Sequence, residues 1–391
     1  MPEWASVPLR SVLHYHHPKR VEPASDDTVR FAGVRWYGEG LFVREQRHGR
    51  DLKAKCYALE PGMLVYNRLF AWKQSFAVVT DDFADVVVSN EFPQFEVDRS
   101  VAIPEFVASY CASPIFAVRA LGRSTGAAAV SRNRLKEADF LDLHIPLPPL
   151  EEQRSILDTL DAAGEAAHAS AAEVDAAERA RTAILAELFS RQDASWADRP
   201  VGEMGRVRRG RRFVKADYVD VGIGCMHYAN LHTDYLAAAA GPPAYLPEAM
   251  RPRLRFASPG SLIIAGTSEN RKGVLKAVAW LGEEAIAVHD DAFIYEHGLE
   301  PRFAAYAFAS PLFRRQVEHV LSDAKVVRVA QEALTRLILP VPPWDKQVEM
   351  ADTMAAVDSA VLASKAEAKA AQKARAALVD ALLGNRVQVR G

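Results

Sequence analysis

The chain has few of the residues and segments that mark secreted, membrane or metal-stabilised proteins. It holds only three cysteines in 391 residues, Cys56, Cys111 and Cys225, and no Cys-x-x-Cys pair. This count signals neither a disulfide framework nor a cysteine-based zinc site. No apolar run approaches the roughly 18 residues of a membrane span, and the first residues have no apolar signal-peptide core. We therefore expect a cytoplasmic protein with no membrane partner.

Nucleotide and cofactor motifs are also missing. There is no Walker A loop, and Gly222-Ile223-Gly224 lacks the rest of a dinucleotide or S-adenosylmethionine loop. An adenine methyltransferase would place an acid or amide before Pro-Pro-aromatic, but Val341 stands in that place before Pro342-Pro343-Trp344. Valine cannot hydrogen-bond an exocyclic amine, so we interpret this tripeptide as structural.

Nuclease and metal motifs are incomplete. Asp81-Asp82, Glu91 and Glu96 lack the Glu-x-Lys half that a metal-dependent nuclease would need. His14, His16 and His17 have no second ligand group at metal spacing, so we interpret them as surface histidines. We expect no catalytic centre, no cofactor and no bound metal.

What the chain does contain is the composition of a globular protein with uneven charge. It is 49% hydrophobic and 25% charged, and it is long enough for two or three domains. The formal net charge of −2 divides into −6 for residues 150–190, −1 for residues 344–384 and +5 for the rest. The overall charge therefore does not argue against a nucleic-acid partner.

One stretch of the chain is written twice. Residues 143–190 align with residues 337–384 at a constant offset of 194, and 19 of these 48 positions are identical. The shared residues of the first copy are Pro146, Pro148, Pro149, Gln153, Asp158, Thr159, Ala180 and Arg181, and their counterparts are Pro340, Pro342, Pro343, Gln347, Asp352, Thr353, Ala374 and Arg375. A fixed-offset repeat with so long a period indicates a duplicated half-molecule.

Each copy reads as a breaker followed by a long helix. Pro-x-Pro-Pro forces an extended segment, because proline lacks a backbone N–H and disfavours helix in the residue before it. Apolar and small residues then recur in steps of four and three from Ile156 to Leu188 and from Met350 to Leu382, which is a heptad seam. About 40 residues at 1.5 Å each make a rod of about 60 Å, too long for one small core to cover.

We expect the two helices to pair antiparallel within one chain and to hold two domains apart. Ala and Ser occupy the middle of both seams, which allows the backbones to approach closely. Arg181 and Arg375 interrupt the seams at equivalent places, and we expect both to extend their charged ends to solvent. The alternative is two unrelated amphipathic helices, each docked on a separate domain.

The segments before the helices also match. Trp4-Ala5 corresponds to Trp196-Ala197, and Pro61-Gly62 to Pro259-Gly260, with an offset that drifts between 192 and 198. Strands are predicted at residues 64–66, 75–79 and 85–88 in the first copy and at 261–265, 274–280 and 285–288 in the second. A helix follows in each, Pro104–Cys111 and Pro301–Ala309. Residues 1–142 and 195–336 should therefore share one mixed α and β fold, each followed by a long helix within residues 143–194 and 337–391.

Basic residues concentrate in predicted loops of both copies. The first copy has Arg44, Arg47, Arg50, Lys53, Lys55, Asn67, Arg68, Lys73, Arg119, Arg123, Arg132 and Arg134. The second has Arg206, Arg208, Arg209, Arg211, Arg212, Lys215, Asn270, Arg271, Lys272, Lys325 and Arg328. Cations suit phosphates, and Arg or Asn can bind base edges in a bidentate way. These residues, apart from the neighbouring cations Arg119 and Arg206, are our candidate DNA-binding set, although any one cluster could be a solvated face.

This layout resembles the specificity (S) subunit of type I restriction–modification systems. The specific part of the resemblance is Pro-x-Pro-Pro followed by Glu-Glu-Gln153 in one copy and Asp-Lys-Gln347 in the other. It implies an α+β fold of two target recognition domains, at 1–142 and 195–336, and a paired-helix spacer with pseudo-two-fold symmetry. It also implies double-stranded DNA and methyltransferase subunits as partners, and leaves open whether a restriction subunit joins.

Other function classes stay open at this stage. The chain could be a recognition subunit of another DNA-modification or defence system. It could also be a nuclease or methyltransferase fused to one recognition domain, although both halves match from the first Trp to the last helix and leave no segment for a catalytic domain. If each half reads its own half-site, replacing Asn67, Arg68 and Lys73 should affect one half-site and replacing Asn270, Arg271 and Lys272 the other.

Overall fold

The computed structural model describes residues 4–52, 55–125, 133–269, 271, 273–321 and 327–384. The chain forms two compact units. Unit 1 comprises Met1–Ser170 and Ala368–Gly391, and unit 2 comprises Ala171–Glu367. Each unit therefore contains one globular part together with a portion of both long helices. No helix in the described ranges combines the length and apolar character of a membrane span.

Unit 1 contains eleven strands among its described residues. They are β1 (Ala5–Pro8), β2 (Leu13–His16), β3 (Arg20–Val21), β4 (Thr28–Val34), β5 (Leu41–His48), β6 (Cys56–Ala58), β7 (Leu64–Tyr66), β8 (Phe76–Val78), β9 (Val87–Val88), β10 (Gln94–Val97) and β11 (His144–Leu147). One sheet has the order β2-β10-β7-β8, a second β3-β6-β9-β4-β5, and β1 pairs with β11.

Three short helices and the first long one complete unit 1. They are α1 (Pro104–Cys111), α2 (Pro114–Arg123), α3 (Glu137–Leu141) and α4 (Leu150–Ser190), the last of which continues into unit 2. Proline at the first turn and the Ser113 hydroxyl, which accepts the Phe116 N–H, start α2. The helices cover the first sheet, and aromatic side chains such as Tyr66, Phe95 and Phe140 are fully buried there.

Unit 2 repeats this arrangement with thirteen strands in its described part. They are β12 (Ala197–Pro200), β13 (Gly205–Arg209), β14 (Ile223–Met226), β15 (Ala238–Ala239), β16 (Ala244–Leu246), β17 (Phe256–Ala257), β18 (Leu262–Ala265), β19 (Thr267–Ser268), β20 (Ala277–Trp280), β21 (Ile286–Val288), β22 (Ala292–His297), β23 (Val327–Arg328) and β24 (Ile338–Val341). Its helices are α5 (Val201–Met204), α6 (Tyr228–Thr233), α7 (Pro301–Ala309), α8 (Pro311–Val320), α9 (Gln331–Arg336) and α10 (Trp344–Val379), and a π-helical turn, Asp380–Gly384, follows α10 into unit 1.

The two units share one strand order. The sheet β13-β22-β18-β20-β15 of unit 2 repeats β2-β10-β7-β8 with one added strand, and β16-β14-β21-β17 repeats β5-β4-β9-β6 without the edge strand β3 of unit 1. The register agrees as well: Ala5 pairs with Leu147 and Ala197 pairs with Val341, partners that are equivalent in the sequence repeat. Gly62 and Gly260 both adopt positive φ at the Pro-Gly turn. The predicted internal duplication and fold class are confirmed.

The predicted strands and helices are largely present. Helices α1 and α7 have the predicted bounds, and β7 covers residues 64–66. Strands β8, β9, β18, β20 and β21 lie inside the predicted runs but are shorter. In the second sheet of each unit only one strand was predicted, β9 in unit 1 and β21 in unit 2. Its strands join distant segments, including the parallel pairs β4 with β9 and β14 with β21.

The two long helices run antiparallel within each unit. In unit 1, Ile156 and Leu160 of α4 share a core with Leu383, which lies at the end of the other helix. In unit 2, Glu178 pairs with Lys365 at 2.7 Å, whereas Arg181, one turn later, pairs with Asp358 at 2.5 Å, two turns earlier. The predicted seam residues are buried or half-buried throughout both helices. The expected antiparallel pairing is confirmed.

Arg181 does not extend to solvent, so that prediction was wrong. Its Nε donates to Asp358 Oδ1, and the two side chains are only 18% and 11% exposed. Asp358 Oδ2 accepts a second hydrogen bond, at 3.0 Å, from the hydroxyl of Tyr306. Burial, and next the Asp358 charge, raise the pKa of Tyr306, so its phenol stays protonated and donates. The Asp358 carboxylate, itself held by the Tyr306 hydroxyl, therefore stabilises the charge of Arg181 inside the helix seam.

Arg375, the repeat partner of Arg181, has different surroundings. The position of Asp358 is occupied by Gly164 in the first copy, and a side chain at Gly164 would lie near Arg375 Nε. No acid in the described part of the chain lies within ion-pair distance of Arg375. The same arginine is thus held by a buried carboxylate in unit 2 but not in unit 1.

A buried glutamine at the start of each long helix explains the strongest part of the sequence repeat. Gln153 Oε1 accepts the backbone N–H of Ile103, and its Nε2 donates to the carbonyls of Val101 and Pro148 at 2.9 and 2.8 Å. Gln347 Oε1 accepts the N–H of Glu300, and its Nε2 donates to Pro342 at 2.9 Å. Both side chains are buried. In each unit the amide therefore fastens the long helix to the segment that enters α1 or α7.

Replacing either glutamine should destabilise its unit. Gln153→Met or Gln347→Met keeps the side-chain volume but leaves buried backbone N–H and carbonyl groups without partners, at a cost of about 2–4 kcal/mol. Gln46→Met, on an exposed position of β5, is the matched control and should change stability by under about 0.5 kcal/mol. Urea unfolding measures the difference. Equal stability of all three variants would contradict the anchoring role.

Replacing Arg181 and replacing Arg375 should have different effects on stability. Arg181→Met leaves the Asp358 carboxylate buried without its cation, which should cost about 3–5 kcal/mol in the free energy of unfolding. Arg375→Met removes the same side chain where no buried acid pairs with it and should cost less than about 1 kcal/mol. Thermal or urea unfolding of both variants checks this. Similar losses for the two would show that Asp358 does not make the difference.

Candidate nucleic-acid interface

A basic cleft lies in unit 2. It has a volume of about 550 Å³ and is lined by the cations Arg209, Arg212, Lys215 and Arg328 together with Phe213, Val214, His227, His289, Asp290 and Asp291. Four of the predicted DNA-binding residues are therefore brought together from segments more than 100 residues apart. Positive charges converging on one concave surface suit a phosphate-rich ligand.

Glycine 210 allows the arginine-rich segment to reach the cleft. Arg209 ends β13, and Gly210 N–H donates to Ala292 at 3.0 Å. A Cβ at Gly210 would lie 2.2 Å from the carbonyl oxygen of His289, so any other residue would push the strand away. The Arg211 N–H then donates to Val288 at 2.9 Å. The backbone of the segment is thus fixed, while Arg211 and Arg212 remain exposed.

Two histidines form the floor of the basic cleft. The rings of His227 and His289 lie 4.1 Å apart, and Phe213 packs edge-on against His289 at 5.0 Å. Burial, and next the charge of His289, lower the pKa of His227 to about 4. The His227 ring is therefore neutral at neutral pH. The positive charge of the cleft comes from its arginines and lysine.

The other predicted cations of unit 2 have mixed surroundings. Arg208 pairs with Glu296 on the neighbouring strand, whereas Arg206, a cation outside the candidate set, is exposed. The carbonyl of Arg271 accepts a hydrogen bond from Arg314 at 3.3 Å. Arg255, absent from the predicted set, donates to the carbonyl of Arg209. Burial, and next the charges of Arg211, Arg208 and Arg206, lower its pKa.

Unit 1 presents a pocket lined mainly by aromatic side chains. The aromatic pocket has a volume of about 520 Å³ and is lined by Trp36, Tyr37, Phe42, Phe70, Arg35 and Arg44, among others. Trp36 and Tyr37 are exposed, at 42% and 58%, and Lys73 Nζ lies 3.5 Å from the centre of the Trp36 ring. Tyr37 has φ near +59°, an uncommon conformation for a bulky residue that places both rings on a tight turn.

Two predicted base-reading residues of unit 1 serve the fold. Asn67 is only 9% exposed, and its Oδ1 accepts the N–H of Leu69 to close a turn. Arg68 pairs with Glu137, and its Nη1 donates to the carbonyl of Asn90 at 2.6 Å. Lys73 was predicted to read DNA together with Asn67 and Arg68, and its ammonium group lies beside the exposed Trp36 ring.

The remaining predicted cations of unit 1 are mostly exposed. Arg44 and Arg47 lie on β5 and both bind Glu45, whose pKa their hydrogen bonds lower. Arg134 makes a bidentate ion pair with Glu91. Arg119, a neighbouring cation outside the candidate set, donates to the hydroxyl of Tyr110 at 3.1 Å. Three more residues, Arg50, Lys55 and Arg123, are exposed.

Five predicted residues lie outside the described part of the chain: Lys53, Arg132, Asn270, Lys272 and Lys325. Their assignment to DNA binding stays a prediction, as it does for the rest of the set. Sequence reasoning missed Trp36, Tyr37, His227 and His289. Trp36-Tyr37-Gly38 followed by Gly40 was a usable signal, because aromatic residues among glycines are typical of an exposed turn. No local signal linked His227 to His289.

One curated relative matches part of the chain. It is the type I restriction enzyme MjaVIII specificity subunit of Methanocaldococcus jannaschii, which is 21% identical over 276 residues. The match spans 64% of this chain, and the chain covers 64% of that relative's length. No model of a known protein family matches the chain.

Solved structures share the fold over almost the whole chain. One, from a study of complex assembly and conformational transition of the type I R-M system, has a TM-score of 0.64 at 17% identity and covers 99% of both chains. The type I restriction–modification S subunit of M. genitalium has a TM-score of 0.54 at 11% identity and covers 97% of this chain and 96% of its own. The predicted resemblance is therefore confirmed: this chain is similar in sequence to one type I restriction enzyme specificity subunit and similar in fold to a type I S subunit of known structure.

Proposed function

We propose that the chain is the DNA-recognition subunit of a type I restriction–modification complex. The observation that carries this proposal is the duplication of one unit, with the same order of the shared strands, the same register in β1–β11 and β12–β24, and an equivalent buried glutamine at the start of each long helix. In this role the chain is a non-catalytic, cytoplasmic protein. Its globular parts act as two target recognition domains, and catalysis belongs to other subunits.

Each unit offers a different surface for DNA, which supports the reading of two unlike half-sites. The basic cleft of unit 2 supplies Arg209, Arg212, Lys215 and Arg328 for phosphates and base edges. The aromatic pocket of unit 1 supplies rings that can stack on or wedge against bases, with Lys73 beside Trp36. One scaffold with two surfaces is what a split recognition site requires.

The long helices supply the docking surface for methyltransferase subunits in this proposal. Their seams are buried within the units, but large apolar side chains remain on the outer face of α10. Trp344 is 53% exposed at the start of α10, three residues before the buried Gln347, and Leu362 is 52% exposed. Exposed aromatic residues next to a fixed backbone anchor are typical of interface hot spots. A restriction subunit would join through those methyltransferase subunits or through the helices directly.

The main alternative is a recognition subunit of another DNA-modification or defence system. It would use the same two surfaces but a different partner on the helices. An enzyme fused to one recognition domain is disfavoured, because the two units account for the described chain as two copies of one topology. Capture of the chain from its own host, followed by mass spectrometry of the bound subunits, distinguishes these partners.

Charge removal in each unit should affect one half-site. The complex is first offered randomised duplexes to find its site, and binding is then titrated on duplexes altered in one half at a time. Arg209→Ala with Arg212→Ala and Lys215→Ala should weaken recognition of one half, and Trp36→Ala with Lys73→Ala should weaken the other. A lost bidentate base contact costs about 1–3 kcal/mol at its base pair. Lost phosphate contacts instead lower the salt slope by about 0.9 per charge.

Arg315→Ala, on the exposed face of α8, is the control for general loss of charge and should leave both half-sites unaffected. Weakening of both half-sites by either set of substitutions would contradict separate reading. Unchanged binding with both sets would place the DNA interface elsewhere on the chain.

A further inference from the structure

Two histidines and one aspartate at the floor of the basic cleft have the chemistry and spacing of a metal site. His227, His289 and Asp291 each direct one ligand-type atom into a common space, and these atoms all lie within 4.8 Å of one another. They come from two chain segments more than 60 residues apart. Strands β14 and β21 are parallel neighbours, and their C-terminal ends bring these two segments together. Two imidazoles and one carboxylate are the ligands of many transition-metal sites.

The three side chains are held before any ion arrives. The backbone N–H of His227 donates to Asn230 Oδ1 at 3.0 Å, which fixes it at the start of α6. His289 is only 7% exposed and packs against Phe213. Asp291 lies at the turn into β22, with its Oδ1 3.5 Å from the hydroxyl of Thr267. Rigid ligands need little reorganisation when they bind an ion.

Carboxylates flank both nitrogens of His289. Its Nε2 lies 3.2 Å from Asp290 Oδ1, and its Nδ1 lies 3.5 Å from Asp291 Oδ2. A metal-binding histidine normally directs its second nitrogen to a carboxylate or carbonyl, which sets its tautomer and orientation. The backbone N–H of Asp291 donates to His289 Nδ1 at 3.2 Å, so the proton of the neutral ring lies on Nε2, which faces Asp290. An ion bound at Nδ1 would take the place of that N–H and share Asp291 Oδ2, while Nε2–H keeps Asp290 as its acceptor.

We propose that His227, His289 and Asp291 bind a divalent transition-metal ion of the Zn²⁺ class, with one coordination position open to the basic cleft. Three protein ligands and one open position is the usual arrangement of an accessible zinc site. The cations Arg209, Arg212, Lys215 and Arg328 border that position and favour an anionic group on the ion. An oxyanion such as phosphate is the chemical class that fits both the ion and these side chains.

The experiment is a Zn²⁺ titration of the purified full chain, freed of metal by EDTA, in competition with a chromophoric chelator and without DNA. The wild-type chain should bind one equivalent. His227→Gln, His289→Gln and Asp291→Asn should each weaken binding by about tenfold or more, since each removes a ligand. The matched control is His168→Gln, on an exposed position of α4, which should bind as the wild type does.

Circular dichroism identifies any variant that fails to fold. His227 and Asp291 are half-buried, so His227→Gln and Asp291→Asn should disturb folding less than His289→Gln does. The visible spectrum of the Co²⁺-loaded chain provides a second readout of the ligand set. Absence of stoichiometric Zn²⁺ binding, or wild-type affinity in both His227→Gln and Asp291→Asn, would overturn the site. Added inorganic phosphate should raise the Zn²⁺ affinity, and no change would overturn the open position. Because DNA is absent, these results stand apart from the test of DNA recognition.

Discussion

The buried glutamine at the start of each long helix is the interaction on which the rest of the structure depends. The seam of a coiled-coil helix determines which helix it packs against. It does not determine the direction in which the helix leaves a globular domain. Gln153 and Gln347 supply that direction by binding backbone groups of the segment before α1 or α7. The proline breaker brings the carbonyls of Pro148 and Pro342 within reach of the same amides. The prolines and the glutamine that the two copies share therefore lie where the globular part is joined to its helix.

The two copies have the same connection between globular part and long helix, whereas their surfaces differ. The units share strand order and the β1–β11 and β12–β24 registers, yet one presents exposed aromatic rings and the other a cluster of arginines around two histidines. The helix seam diverged too, because Arg181 acquired Asp358 and Tyr306 as partners while Arg375 faces Gly164. In the proposed role, such divergence lets one scaffold read two unlike half-sites. It also lets a site such as the proposed metal cluster arise in one copy only.

The sequence predicted what is periodic or local. The heptad seam, the prolines and the Pro-Gly turns indicated the paired helices, α1, α7 and β7, because each depends on neighbouring residues alone. Most strands of the second sheets were missed because they pair with segments distant in sequence, including the parallel pairs β4 with β9 and β14 with β21. Arg181 was misjudged because its acid lies on the other helix and has no counterpart in the first copy. Of the candidate DNA-binding residues, four converge on the basic cleft, whereas Asn67 and Arg68 support turns and ion pairs that no local pattern revealed.

In the proposed function, two copies of one unit each read their own half of a DNA site. The most direct measurement is sequencing of methylated bases in DNA from cells that express the chain with the methyltransferase subunits of its own host. Separate reading by the two units predicts chain-dependent methylation at a bipartite motif, in which two short specified segments are separated by a spacer of fixed length and free sequence. A single continuous motif, or methylation that does not change when the chain is removed, would contradict it.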